Sequence, residues 1–239
     1  MDLSQALAEL YGACDSYTPP VTLDKAYRSL DPEVEARILK TPLREVSNED
    51  AGDLFHVMQG DDEAFAYFLP RFVELAVSFE TPFHFPDLPS IGEQVRRDRL
   101  LAEPAIGHAI EHVTNALWEV LLTRQLHSEI IEDIVQGSAW FEDSLQTRLD
   151  EWSATQHFAG QANLAAYVIY NLDSVRTRRR LRNDRDWRGR PQVEMEVGLW
   201  LRSKAIVERV CELARSTGAA GLVEACSGLK ALHTAPAFR

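Results

Sequence analysis

Between residues 108 and 112 the chain reads His108-Ala109-Ile110-Glu111-His112, a His-x-x-Glu-His pattern. Residues four apart on a helix share a face, so both imidazoles could bind one zinc ion. Glu111 would then act as general base toward a metal-bound water, and the chemistry would be hydrolysis. The motif brings no third ligand with it, since Glu129, Glu132, Glu194 and Glu196 are all eligible. The surrounding pattern favours a plainer reading. Ile106, Ile110, Val113, Leu117, Val120 and Leu121 make an apolar stripe. His108, His112, Asn115 and Glu119 lie opposite it, on what reads as a solvated face. Other chemistry finds less support. The chain has no Gly-x-Ser-x-Gly, no Walker loop and no Gly-x-Gly-x-x-Gly. Asp53 with His56 is a single, imperfect version of the paired Glu-x-x-His of di-iron bundles. No catalytic residue and no cofactor is expected.

Charge is more informative. The 239 residues carry 25 Lys+Arg against 37 Asp+Glu, a net charge of −12. Such a chain repels phosphate as a whole, which argues against a general nucleic-acid binder. Acidic residues collect at Glu49, Asp50 and Asp53 and again at Asp61, Asp62 and Glu63. Both groups fall at helix starts, where they complement the helix dipole. They are also candidate contacts for a basic protein partner. One window has the opposite sign. From Arg176 to Arg190 there are eight arginines and two aspartates, so this stretch is +6 and the remainder −18. Arg179, Arg180, Arg182 and Arg185 suit planar contacts to phosphate or carboxylate, and Trp187 could stack on a base. The ordinary alternative is a solvated helix end paired with acidic neighbours.

Helices must position these residues. Leu3, Leu7, Leu10, Tyr11 and Cys14 mark a first stripe at helix spacing. Asp31-Pro32-Glu33 predicts a helix start with Pro at the first position, and the helix runs to about Lys40. Ser47 with Asp50 predicts the next cap, opening a helix through Met58. Gln59-Gly60-Asp61-Asp62 reads as a turn and a cap, followed by a helix from Glu63 to Phe79 that Pro70 should kink or divide. A Pro-rich connector at 81–89 is a candidate internal seam in a single domain, and Ser90 with Glu93 predicts the cap after it. Phe83-His84-Phe85 in that connector could pack on the core or meet a partner. Further helices are predicted at about 104–125, 128–136, 139–151, 158–180, 193–217 and 219–232, with Gly218 as a C-terminal stop. Strand alternation is nearly absent. The fold class expected is therefore all-α, an antiparallel helical bundle or an irregular helical solenoid with a Pro-kinked helix near residue 70.

Two segments carry a resemblance. Lys40-Thr41-Pro42-Leu43-Arg44-Glu45-Val46 resembles the TPLRELT element of a group of uncharacterised bacterial helical proteins. Tyr67-Phe68-Leu69-Pro70-Arg71-Phe72-Val73-Glu74-Leu75 resembles the HFLPRILELL element of the same group. Trp118 and Trp200-Leu201 fit its looser pattern, and Val46-Ser47 stands where the group has Leu-Thr. That group has no established activity. The resemblance implies a compact helical bacterial protein in which Pro70 has a structural role, and no catalytic residues.

Cys14, Cys211 and Cys226 are too few and too oddly spaced for a disulfide framework, so three buried free thiols are expected. The start Met1-Asp2-Leu3-Ser4-Gln5 lacks the basic and apolar stretches of a secretion signal. The apolar run Leu164 to Tyr170 is too short to span a bilayer. The cytoplasm is the expected location. Together these features point to a non-catalytic interaction protein. Its expected form is an immunity protein that occludes a cognate toxin, for instance a basic one. A zinc hydrolase at 108–112 and an RNA- or phosphate-binding module at Arg176–Arg190 are the alternatives.

Overall fold

A computed structural model describes residues 1–23, 30–58, 61–78, 86–178, 180–183 and 187–233. Among the described residues there are twelve α-helices, two short 3-10 turns and no strand. The all-α expectation holds. The chain forms two compact units, Met1–Leu117 and Trp118–Arg239. Their boundary falls at Leu117/Trp118 and not in the connector at 81–89, of which residues 81–85 lie outside the described set.

The first unit contains α1 (Leu3–Ala13), α2 (Pro32–Lys40), a 3-10 turn (Leu43–Glu45), α3 (Asn48–Val57), α4 (Asp62–Ala76), α5 (Leu88–Arg97) and a second 3-10 turn (Leu100–Ala102). It also holds most of α6 (Pro104–Thr123). Side-chain caps start the helices as the sequence predicts. Asp31 accepts from the N–H of Glu33, Ser47 from that of Asp50, and Asp61 from that of Ala64. One cap differs. Asp87, not Ser90, caps α5 by accepting from the Ser90 N–H, and Pro89 sits in the first turn where a missing N–H costs nothing.

Helix α4 is the hub, packing against α1, α3, α5 and the first 3-10 turn. Phe65, Phe68, Leu69, Phe72 and Val73 bury one side of it. Phe55 of α3 meets Phe65 and Phe72 edge-on, with ring centroids 6.0 and 5.6 Å away. Pro70 is buried inside α4, and the helix is not divided there. The packing of these large side chains outweighs the one backbone hydrogen bond that proline removes.

The second unit begins with the last turns of α6 and continues through α7 (Ser128–Phe141), α8 (Gln146–Ala154), α9 (Phe158–Arg178), α10 (Pro191–Leu201), α11 (Lys204–Thr217) and α12 (Ala220–His233). The predicted helix over 193–217 is two helices. Ser203 accepts from the Ile206 N–H and opens α11, while the Arg202 guanidinium bonds the Leu232 carbonyl at the end of α12. The core is a cluster of Trp118, Trp152, Tyr167 and Trp200. Trp152 lies 5.9, 5.4 and 5.6 Å from the other three rings in that order. Each of its indoles donates inward: Trp118 to Ser138 Oγ, Trp152 to the Gly160 carbonyl, and Trp200 to Ser153 Oγ. That satisfies the N–H of each of these three buried indoles.

Gly218 ends α11 at φ 66°, where a side chain would be strained, and the chain reverses into α12. The reversal brings Cys211 and Cys226 to a Cα separation of 4.9 Å, joined as a disulfide. This corrects the expectation of three free thiols. Only Cys14 is free, and it is buried. The two bonded cysteines stand seven residues before and eight after Gly218, so an antiparallel helical hairpin places them opposite each other.

No described helix is long and apolar enough to cross a membrane.

Candidate functional site

In the first unit the segments 40–46 and 67–75 meet. The 3-10 turn sits between Pro42 and the cap Ser47, which fixes Arg44 against α1. Its guanidinium lies 3.6 Å from the centroid of the Tyr11 ring, a cation–π contact. Arg71 of α4 donates from Nε to the Val46 carbonyl at 2.8 Å and from Nη1 to Glu74 Oε2 at 2.7 Å. Tyr11 donates its hydroxyl to the same oxygen at 2.6 Å, and Arg44 stands 3.7 Å from Glu74 Oε1. Glu74 thus gathers Tyr11, Arg44 and Arg71. Burial first, and then donation to Glu74, pushes the Tyr11 phenol well above its ordinary range.

Beside this junction is a cleft of about 370 Å³, with Tyr11, Cys14, Asp15, Tyr17, Arg44 and Tyr67 in its walls. Tyr17 donates its hydroxyl to both carboxylate oxygens of Glu103, at 2.7 and 2.8 Å. Burial and Glu103 push that phenol up to about 12, with Cys14 and Glu63 contributing in the same direction. The Cys14 thiol is also pushed up to about 12, by burial and then by the Glu103 charge. It stays protonated at neutral pH, the opposite of a nucleophilic cysteine. Asp15 is exposed, and its carboxylate has no partner among the described residues. This arrangement suits binding. Its walls hold tyrosine rings, the Asp15 carboxylate and Arg44, which is already engaged by Tyr11 and Glu74.

The other candidate residues are scattered. His108 and Glu111 are both 66% exposed in their side chains, with His108 Nδ1 3.7 Å from Glu111 Oε2. His112 bonds Glu9 of α1 through Nδ1, so one of the two imidazoles holds α6 to α1. Among the described residues no three His, Cys, Asp or Glu side chains are grouped to hold a metal ion. Of the proposed third ligands, Glu129 accepts from the Ser128 hydroxyl and Glu196 from the Leu145 N–H. Glu132 is buried and accepts from Gln136 and Asn171. Glu194 belongs to α10.

Of the acidic candidates, Glu49 and Asp53 are exposed one turn apart on α3. Asp50 is not available to a partner. It is buried and takes both Arg37 nitrogens, at 2.9 and 2.6 Å. The Arg37 hydrogen bonds hold its carboxyl below the usual carboxylate range. Asp61 is spent on its cap, whereas Asp62 and Glu63 are exposed.

Of the arginine candidates, Arg179 and Arg185 lie outside the described residues, as does Phe83-His84-Phe85. Arg180 and Arg182 are exposed, and Arg182 stacks 4.3 Å from the Tyr170 centroid. Trp187 is 1% exposed, so its ring is not on offer to a base. The Asn171 side chain accepts from the Arg182 N–H and ties this segment to α9.

The second unit has its own opening, an apolar groove of about 590 Å³ between α9 and the α11–α12 turn, where Phe158 and Ile169 are exposed. Sequence reasoning named neither this groove nor the tyrosine cleft. Tyr11 reads there as a member of the first apolar stripe, and the partner that reveals its role, Glu74, is far along the chain.

Comparison with family models, curated proteins and solved structures finds no match to this chain.

Proposed function

We propose that this chain is a non-catalytic interaction protein of the immunity type, which binds a basic toxin and occludes its active site. One observation carries the reading. The first unit holds 21 acidic and 9 basic residues, a net charge of −12, and the second holds 16 of each. The whole excess of negative charge therefore belongs to one body of 117 residues. A field concentrated in this way steers a positively charged partner and raises its association rate. Exposed Glu49 and Asp53, with Asp62 and Glu63, supply carboxylates for the encounter. The protonated, buried Cys14 thiol supports a binding role over a nucleophilic one.

The test is co-expression with a toxin encoded beside this chain. The expected result is protection of the cell and a stoichiometric complex whose association slows as salt is added. Replacing Glu49 and Asp53 together by lysine should slow association about tenfold at low salt and leave dissociation nearly unchanged. Absence of both protection and complex would sink the reading.

A further inference from the structure

We propose that the tyrosine cleft of the first unit is a socket for an arginine side chain of the partner protein. The inference rests on the reading that the partner is basic, and it names the chemistry by which the partner is held. The cleft's volume, about 370 Å³, is at the small end of ligand sites, which run from roughly 300 to 1,000 Å³. That suits one long side chain better than a cofactor.

Its walls select the charge. Arg44, the cation of the wall, already stands against Glu74 and stacks on Tyr11, so an incoming anion meets a cation that is already engaged. Asp15 lies in the wall with no partner among the described residues, and Glu103 closes on Tyr17. An incoming cation therefore finds the Asp15 carboxylate, the charge in the wall that has no partner among the described residues.

The aromatic faces select guanidinium. Within this same cleft Arg44 already stacks 3.6 Å from the Tyr11 centroid, so the protein itself shows the pairing that the site would repeat. Tyr17 and Tyr67 offer the further rings. Guanidinium is planar and weakly hydrated and stacks on aromatic faces, whereas ammonium is a compact, strongly hydrated charge. Burial raises the Tyr67 phenol above its ordinary value, which keeps that ring neutral while it serves as a wall.

The experiment is titration calorimetry of the full chain with an acetylated, amidated tetra-arginine peptide at low salt. Binding is expected, and Tyr67→Ala and Asp15→Asn should each weaken it about five- to tenfold. Tyr67→Phe should retain wild-type affinity because it keeps the ring. Asp15 is exposed, so Asp15→Asn leaves the fold intact and reads out the socket even where Tyr67→Ala does not fold. Replacing Glu49 and Asp53 together by glutamine should change binding less than twofold, since neither lines the cleft. If that double variant loses as much as Asp15→Asn, binding is diffuse attraction to the acidic unit. The socket is then wrong while the basic-partner reading stands. No binding of the peptide, or equal affinity for tetra-lysine, also overturns the socket. Neither result touches the toxin co-expression test.

Discussion

The first unit holds no tryptophan, and the second holds all five, Trp118, Trp140, Trp152, Trp187 and Trp200. The first is built around phenylalanines on α3 and α4 and carries the entire net charge, while the second is neutral overall and has a disulfide. Their openings differ in the same sense. One is a cleft of tyrosines with Asp15 and Arg44 in its walls, and the other is an apolar groove with exposed Phe158 and Ile169. The contrast shows how stabilisation and recognition are distributed. Three indoles with satisfied N–H groups and a covalent crosslink hold the second unit, and its 16 acidic and 16 basic residues balance. The first unit must tolerate mutual repulsion among its carboxylates. It does so by pairing some of them with arginine, as Asp50 with Arg37 and Glu74 with Arg71. An excess of charge that costs stability is most simply explained by a surface that uses it.

The sharpest way to break this comparison is Trp152→Ala. Trp152 is fully buried and central to the ring cluster, so its loss should cost about 3–5 kcal/mol. The remaining tryptophans report only on the second unit. Denaturant unfolding followed by their fluorescence should shift strongly to lower midpoint, while the far-UV signal from the first unit unfolds where it did before. A single transition that moves as a whole in both signals would show that the two units are one energetic body, and the comparison would fail.

The disulfide is the next largest effect. It closes 15 residues across the α11–α12 turn, which in the chain-entropy model is worth about 3 kcal/mol. Reduction should lower the fluorescence-detected melting temperature and leave the first unit unchanged. Thiol titration of the denatured, unreduced chain should find one thiol, Cys14, and three after reduction. Three thiols before reduction would remove the crosslink from the second unit.

Local signals in the chain carried much of this fold. Ser47, Asp61 and Gly218 cap the helices that their types predict, because a cap depends on atoms within a few residues. The solvated side of α6 was equally plain, since the stripe from Ile106 to Leu121 orients the helix by itself. The break at Arg202-Ser203 was hidden. Val193, Val197 and Trp200 before it and Ile206, Val207 and Val210 after it keep an unbroken run of buried apolar positions. The crosslink was hidden too, because Cys211 and Cys226 become partners only once the turn at Gly218 sets their register. The tyrosine cleft was least legible. Its bonds join Tyr11 to Glu74 and Tyr17 to Glu103, 63 and 86 residues apart, and no local pattern encodes such distances. Trp187 misled for a related reason: its arginine neighbours suggest exposure, whereas its own ring is buried.

The smallest expected effect bears on how the first unit tolerates its charge. Asp50 is buried, and Arg37 holds its carboxyl below the usual carboxylate range. A carboxyl with a lowered folded-state pKa contributes stability that is complete above its unfolded value and is lost as pH falls through the folded value. Asp50→Asn should therefore destabilise the first unit by about 1 kcal/mol at neutral pH, a figure kept small because Arg37 is largely in solvent. The difference from wild type should stay level down to the ordinary carboxylate range and shrink below it, as the wild-type Asp50 is protonated. Added salt should reduce it at every pH, because water reaches the pair from the arginine side. Tryptophan fluorescence should register none of this, and the far-UV transition of the first unit should register all of it. A loss that is flat from neutral to acid pH would mean that Asp50 acts through shape and hydrogen bonding alone. Charge pairing would then have no part in holding the acidic unit together.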